Sequence, residues 1–256
     1  VLGLTIKENG VREGLEVLHR LATSPATAKF ISTKLAVRFV SDTPPPALVE
    51  RMAQAFLKSD GDIKTVLRTM FDSPEFWSPE VVRAKVKTPL EFVTSAVRAS
   101  GAEVTNALPL VQALQKLGMP LYGMQTPNGY SWMAEPWVNS GDLVDRMNFA
   151  LVLSGGRMAG VQTDWTRVLR EAEGSATAAD GSDAARTKEE KLERALLGEP
   201  VSERTRATVL AQFANQTFST GPVGALKAGA PVPPAMDREA AGMAGLLLGS
   251  PEFQRR

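Results

Sequence analysis

The chain has 256 residues, of which 43% are hydrophobic, and it carries 29 Lys and Arg against 28 Asp and Glu. The formal net charge of +1 gives no electrostatic reason to expect a nucleic acid or an acidic membrane surface as a partner. No apolar run approaches the roughly 20 residues of a membrane-spanning helix, and the absence of cysteine excludes disulfides, thiol nucleophiles and thiolate metal ligands.

Short helices with well-defined starts are predicted by a recurring dipeptide. A hydroxyl at the N-cap accepts hydrogen bonds from free helical N–H groups, and a Pro at the first helical position has no N–H to leave unpaired. Thr88 and Glu91 extend this pattern to a capping box. Seven times a Ser or Thr directly precedes a Pro, at Ser24, Thr43, Ser73, Ser78, Thr88, Thr126 and Ser250.

Apolar residues recur at helical spacing through much of the chain. The predicted helices carry Val11 to Ala22, Ala28 to Phe39, Leu48 to Phe56, Ile63 to Met70, Phe92 to Val97, Leu108 to Leu117 and Leu143 to Leu151. The periodicity weakens beyond Gly160 and returns at 192–197, 201–218 and 236–248. The only stretch in which apolar and charged residues alternate, 82–87, is too short to indicate a sheet. We therefore predict an all-α protein, an irregular orthogonal bundle of about ten short helices without significant sheet.

Two similar turns are predicted, one in the first third of the chain and one near its end. Ser73-Pro-Glu-Phe76 and Ser250-Pro-Glu-Phe253 both follow an apolar helix. Each is expected to end that helix and to tuck its Phe side chain under a Ser-Pro turn. Two copies this far apart do not indicate a solenoid, whose repeats are about 20 to 50 residues long.

A change of composition suggests the domain organisation. Residues 174–183 are Gly, Ala, Ser and Asp without apolar spacing, which is typical of a linker or loop. We predict a main helical domain over 1–172, a flexible linker or loop over 173–186, and C-terminal helices over 187–256 that pack back on the main domain. Because the chain starts at Val1 without a signal-like segment, we also expect its natural N-terminal part to be missing.

Few residues offer metal or catalytic chemistry. His19 is the only histidine and lies at the margin of an apolar helical stripe, which favours a boundary residue over a catalytic triad or a zinc ligand. The Asp-Gly-Asp turn at 60–62 fails the calcium-loop template, because Thr65 and Phe71 stand where Gly and Glu are required. We therefore expect no metal and no cofactor.

Paired carboxylates leave a hydrolase open as an alternative. Glycosidase-type catalysis requires two carboxylates that face one cleft about 5 to 9.5 Å apart. Glu75, Glu91 and Glu135 lie nearest to aromatic residues, although a capping box already accounts for Glu91. In this alternative the enzyme would act on an extracellular polymer, and Arg146 or Lys87 would orient the substrate.

The segment from Met119 to Trp137, called the aromatic segment below, is the most distinctive candidate surface. Large rings on a loop can stack on sugars or anchor a partner protein. Alternatively, the rings form the small internal core of a long loop. Arg146 is expected to pair with an acid or with loop carbonyls beneath the segment. The predicted ligand-binding residues are Tyr122, Tyr130, Trp132, Trp137 and Arg146.

A series of ordered motifs carries a family resemblance. The motifs include Leu21 to Ile31, Pro44 to Pro46, Ser73 to Trp77, Lys85 to Phe92, Pro127 to Tyr130, Arg146 to Phe149 and Leu246 to Gln254. Together they resemble the bacterial family called domain of unknown function 1800, most weakly over 161–234. Many relatives carry a His where this chain has Ser24, so a role for an imidazole is in doubt there, whereas a capping role is retained.

The resemblance implies a location and a partner but no particular activity. Family members resemble exported bacterial proteins, which implies a periplasmic or secreted protein, often encoded beside an alkaline-phosphatase-like exported partner. We therefore predict a non-enzymatic interaction protein of the cell envelope that binds a protein partner or a polysaccharide. The carboxylate-dependent hydrolase stays the alternative.

Overall fold

The computed structural model describes residues 3, 6, 10–173, 184–214 and 237–256. Most of the predicted linker over 173–186 lies outside these residues, so the predicted domain boundaries stay a prediction. Contacts divide the chain into two compact units, Val1–Lys85 and Val86–Arg256, each described by itself below.

The first unit is built from helices that start at caps or prolines. Asp62 caps one of them by accepting from the N–H groups of Lys64 and Thr65. Helices α2, α3 and α4 pack around a core that includes Leu48 and Met52, whereas α1 has no buried residue. The helices are α1 (Val11–Ala22), α2 (Pro25–Phe39), α3 (Pro46–Lys58) and α4 (Ile63–Phe71).

The second unit contains seven α-helices among its described residues. A two-residue antiparallel ladder pairs β1 (Glu103–Val104) with β2 (Val161–Gln162), and one 3-10 turn covers Glu135–Trp137. The helices are α5 (Pro89–Ala99), α6 (Leu108–Lys116), α7 (Ser140–Ser154), α8 (Trp165–Glu173), α9 (Ala184–Leu197), α10 (Glu203–Ala214) and α11 (Arg238–Leu248). The all-α prediction without significant sheet is confirmed.

Helix α11 lies at the centre of this second unit. It packs against α7, α9 and α10, and most of its side chains are buried. Trp165 of α8 is fully buried in the same core, and its indole N–H donates to the carbonyl of Ser154 at 2.8 Å. The C-terminal helices thus share one core with α5, α7 and α8.

Two of the Ser-Pro and Thr-Pro pairs cap α-helices, and two others hold turns. Ser24 caps α2, and Thr88 forms the predicted capping box with Glu91 at the start of α5. At Ser73 and Ser250 the hydroxyl instead accepts from the N–H of the Phe three residues on, within a single turn. Because a Ser hydroxyl can serve a turn as well as a helix, the pair alone does not predict which follows.

None of the helices in the described part of the chain combines the length and the apolar character that a bilayer crossing requires.

The contact between α7 and α11 leads to a stability prediction. A Cβ at Gly245 would lie 2.6 Å from Ser154 Oγ and 2.9 Å from Leu151 Cδ2. We expect Gly245→Ala to lower the free energy of unfolding by about 1–3 kcal/mol, since overpacking forces a backbone shift. Urea denaturation followed by circular dichroism measures the effect.

Gly14 in α1 provides the matched control. A Cβ there meets no atom within 4 Å, so Gly14→Ala should stabilise the helix by roughly 0.5–1 kcal/mol. Equal effects of the two substitutions would contradict the close packing of α7 on α11.

Candidate functional site

Two of the four rings in the aromatic segment hold the loop together. The Tyr130 hydroxyl donates to the Pro120 carbonyl at 2.7 Å, and the Trp137 indole N–H donates to the Ser131 carbonyl at 3.1 Å. The two ring centroids lie 6.1 Å apart, and Trp137 is only 6% exposed. Tyr130 and Trp137 therefore form the internal core of the loop, as one of the two sequence interpretations predicts.

The other two rings face the solvent. Tyr122 is fully exposed and has a φ of 57°, in the left-handed region that non-Gly residues seldom occupy. Trp132 is 44% exposed. We call the exposed apolar residues of this region the outer aromatic surface, which comprises Leu121, Tyr122, Met124, Trp132, Met133 and Val138.

Arg146 of α7 is buried, with 1% of its surface exposed. Its Nη2 donates to the Lys87 carbonyl at 2.9 Å, and its guanidinium lies 5.2 Å from the Phe92 ring centroid. Burial lowers the pKa of Arg146, and the negative charge of Asp142 partly opposes this shift. The observed partner is thus a backbone carbonyl before α5, and not an acid or a carbonyl of the aromatic segment.

Local contacts account for two of the three carboxylates named for a hydrolase. Glu75 accepts a hydrogen bond from Arg51 at 2.5 Å, and this bond lowers the pKa of Glu75. Glu91 accepts from the Thr88 N–H at 2.9 Å in the capping box, and Glu135 lies exposed in the 3-10 turn. Lys87 is close to an aromatic ring, with Nζ 3.9 Å from the centroid of Phe253.

A buried carboxylate pair occurs elsewhere, on α9. Glu189 is fully buried and Glu193 is 3% exposed. Arg206 of α10 forms a two-pronged contact with Glu193, Nε to Oε1 at 3.2 Å and Nη2 to Oε2 at 2.8 Å. Its Nε also lies 3.4 Å from Glu189 Oε2, and its Nη1 contacts Glu203 at 2.6 Å. The Arg206 guanidinium therefore contacts three carboxylates.

This arrangement favours a proton on Glu189. Burial of the carboxylate is the largest cause, and the neighbouring Glu193 adds to it, so that the pKa of Glu189 rises to about 8 despite the opposing effect of Arg206. Hydrogen bonding to Glu193 raises the pKa of Arg206 further above its ordinary value. Because Glu189 has no exposed surface, it cannot meet a substrate directly, and the pair connects α9 with α10 through Arg206.

Glu189 and Glu193 were not recognised as candidates from the sequence, although their spacing carries a signal. They lie four residues apart, on the helix face that also carries Leu192 and Leu196.

Within the described residues, no group of three or more His, Cys, Asp or Glu side chains is arranged to hold a metal ion.

The fold defines the chain as an all-α protein of short, capped helices. Over residues 1–255 it matches the family described as "Protein of unknown function (DUF1800)". The chain belongs to this family, which confirms the resemblance noted in the sequence motifs. Neither the comparison with curated proteins nor that with solved structures found a match.

The division of the aromatic segment into inner and outer rings predicts a difference in stability. Trp137→Ala should lower the free energy of unfolding by about 3–5 kcal/mol, as expected when a buried aromatic side chain is removed. Trp132→Ala removes a half-exposed ring and should cost about 1 kcal/mol or less. Urea denaturation of both variants checks this, and a larger loss for Trp132→Ala would contradict the assignment.

The buried carboxylate pair predicts a dependence of stability on pH. The pKa of Glu189 rises from 4.5 to about 8 on folding, so the folded state binds more protons than the unfolded state between these values. The free energy of unfolding should therefore fall as the pH rises through this range. Glu189→Gln cannot ionise and should flatten this fall, making the variant more stable than the wild type near pH 9.

Glu190→Gln is the matched control, because Glu190 neighbours Glu189 on α9 but takes part in a surface ion pair, with Arg186 at 3.1 Å. Its pH profile should run parallel to that of the wild type. Parallel profiles for wild type and Glu189→Gln would show that Glu189 holds no additional proton.

Proposed function

We propose that this chain is an interaction protein that binds a partner protein through the outer aromatic surface. The observation that carries the proposal is the full exposure of Tyr122 at a positive φ, on a loop whose inner rings are held by hydrogen bonds. A strained, exposed aromatic residue on a fixed loop is a feature that binding sites share. Such a ring also brings large contact area at little cost in conformational entropy.

The composition of the surface favours a protein partner over a polysaccharide. In the sequence, Leu121 and Met124 lie on either side of Tyr122, Met133 follows Trp132 and Val138 follows Trp137, and each of these four apolar residues has 40% or more of its surface exposed. Apolar side chains that adapt in shape, methionine above all, suit the irregular apolar surface of another protein. A sugar site would instead be expected to surround flat rings with hydrogen-bonding groups.

The described carboxylates do not favour the hydrolase. Glu189 and Glu193 lie close together, but the first has no exposed surface and the second is 3% exposed. Glu75 and Glu91 are engaged by Arg51 and by the Thr88 N–H. We therefore propose binding without catalysis.

The proposal extends to the location and to the class of partner. Both rest on the resemblance seen in the sequence motifs, which implies an exported protein encoded beside an alkaline-phosphatase-like exported protein. The partner we propose is that neighbouring protein.

The test measures the dissociation constant for the purified chain and this neighbouring protein by isothermal titration calorimetry. Tyr122→Ala and Trp132→Ala should each weaken binding by about tenfold or more, since truncation of an aromatic anchor costs about 2 kcal/mol. The matched control is Trp77→Ala, which removes a tryptophan that is 68% exposed in the first unit and should leave the affinity unchanged.

Two outcomes would overturn the proposal. The first is an affinity that neither substitution changes. The second is saturable quenching of tryptophan fluorescence by a soluble polysaccharide, lost in a folded Trp132→Ala variant, which would assign the surface to a carbohydrate.

A further inference from the structure

Three arginines from three helices line one open cavity in the second unit. Its volume is about 570 Å³, and the arginines are Arg98 near the end of α5, Arg167 of α8 and Arg194 of α9. Small side chains, Ala99 and Ala195 among them, occupy much of the remaining wall. The cavity is therefore bordered by arginines from segments far apart in the sequence.

The three arginines differ in how they are held. Arg167 donates from Nη2 to the Gly101 carbonyl at 2.9 Å, which fixes its position beside the end of α5. Its Nη1 lies 3.4 Å from Glu171, an acid that also lines the cavity. Neither Arg98 nor Arg194 has a side-chain hydrogen bond or ion pair with any residue that the structure describes, so both retain donors for a ligand.

The charges around the cavity do not cancel. Three guanidinium groups stand against the carboxylate of Glu171, which leaves two positive charges in excess. Like charges on neighbouring helices repel one another, and an anion placed between them removes this repulsion. The excess matches a ligand group that carries two negative charges.

The geometry points to a phosphate group as the ligand. A phosphate monoester carries close to two negative charges at neutral pH and presents three acceptor oxygens. Guanidinium groups bind such oxygens in two-pronged contacts, and three arginines on separate helices can approach a tetrahedral group from three sides. A carboxylate carries one charge and two oxygens in a plane, which suits a single arginine.

We propose that Arg98, Arg167 and Arg194 form a binding site for the phosphate group of a small organic molecule. A second cavity of about 410 Å³ shares Arg98 and Ala99 with the first and is also lined by Lys87 and Phe253. This space can receive the body of the ligand beside its phosphate. The site is separate from the outer aromatic surface and does not depend on the function proposed for that surface.

The test titrates the full chain at about pH 8 with inorganic phosphate and with glucose 6-phosphate, at constant ionic strength. Binding is measured by isothermal titration calorimetry. Both probes should bind saturably, whereas glucose should not. Arg98→Ala and Arg194→Ala should each raise the dissociation constant by about tenfold or more, as expected for the loss of a hydrogen bond to a charged group.

The controls separate local binding from general charge. Arg170→Ala removes an exposed arginine from α8 that does not line the cavity, and Tyr122→Ala alters only the outer aromatic surface. Both should leave phosphate binding unchanged. Because Arg167 also holds the Gly101 carbonyl, its contribution is tested with Arg167→Lys, which keeps the charge and should still weaken binding through loss of the two-pronged contact.

Three results would overturn the proposal. One is a phosphate response that chloride reproduces at equal ionic strength. Another is an equal loss of binding in Arg170→Ala and Arg98→Ala, which would indicate unspecific attraction. The third is tighter binding of succinate than of either phosphate compound, which would assign the cavity to a dicarboxylate.

Discussion

The close approach of α7 and α11 is the constraint on which the second unit depends. Gly245 lies against Ser154 and Leu151 with no room for a Cβ, and the α11 side chains on either side of it are almost all buried. A close-packed core transmits changes of spacing, because it has few voids to absorb them. Helices α9 and α10 also pack on α11. A displacement of α11 would therefore also shift the charged side chains of α9 and α10. The Ser154 carbonyl accepts a hydrogen bond from the Trp165 indole N–H, which holds α8 against the end of α7.

Two buried arginines accompany this apolar core, and they differ in how their charge is compensated. Arg206 is surrounded by Glu193, Glu189 and Glu203, so that its charge is compensated more than once. Arg146 has one hydrogen bond, to the Lys87 carbonyl, while its Nε and Nη1 have no hydrogen-bond partner among the described residues. Buried ion pairs often contribute little net stability compared with apolar side chains, but removing one partner is costly. Around Arg206 these charges connect α9 with α10, whereas Arg146 connects α7 with the backbone just before α5.

Local features of the fold could be predicted from the sequence, and features that depend on packing could not. The caps at Ser24 and Thr88 are encoded within four residues, and apolar periodicity indicates the helices directly. The division after Lys85 leaves no mark in composition, because it depends on which helices pack together. Glu189 and Glu193 have the spacing of core residues, yet the surrounding charges are typical of an exposed helix. The shared cavity of Arg98 and Arg194 forms only when α5 and α9 are brought together.

In the aromatic segment, the sequence shows where the rings occur but not which of them are buried. All four rings occur within 16 residues, from Tyr122 to Trp137, and their types alone do not separate a loop core from a binding surface. Burial makes that separation, because Trp137 is 6% exposed and Tyr130 is half-buried, whereas Tyr122 and Trp132 are exposed. The two inner rings also donate hydrogen bonds to loop carbonyls, as a buried polar atom requires. A loop held from inside loses less conformational entropy when its outer rings bind. The inner rings can therefore contribute to affinity through the rigidity of the loop, without touching the ligand.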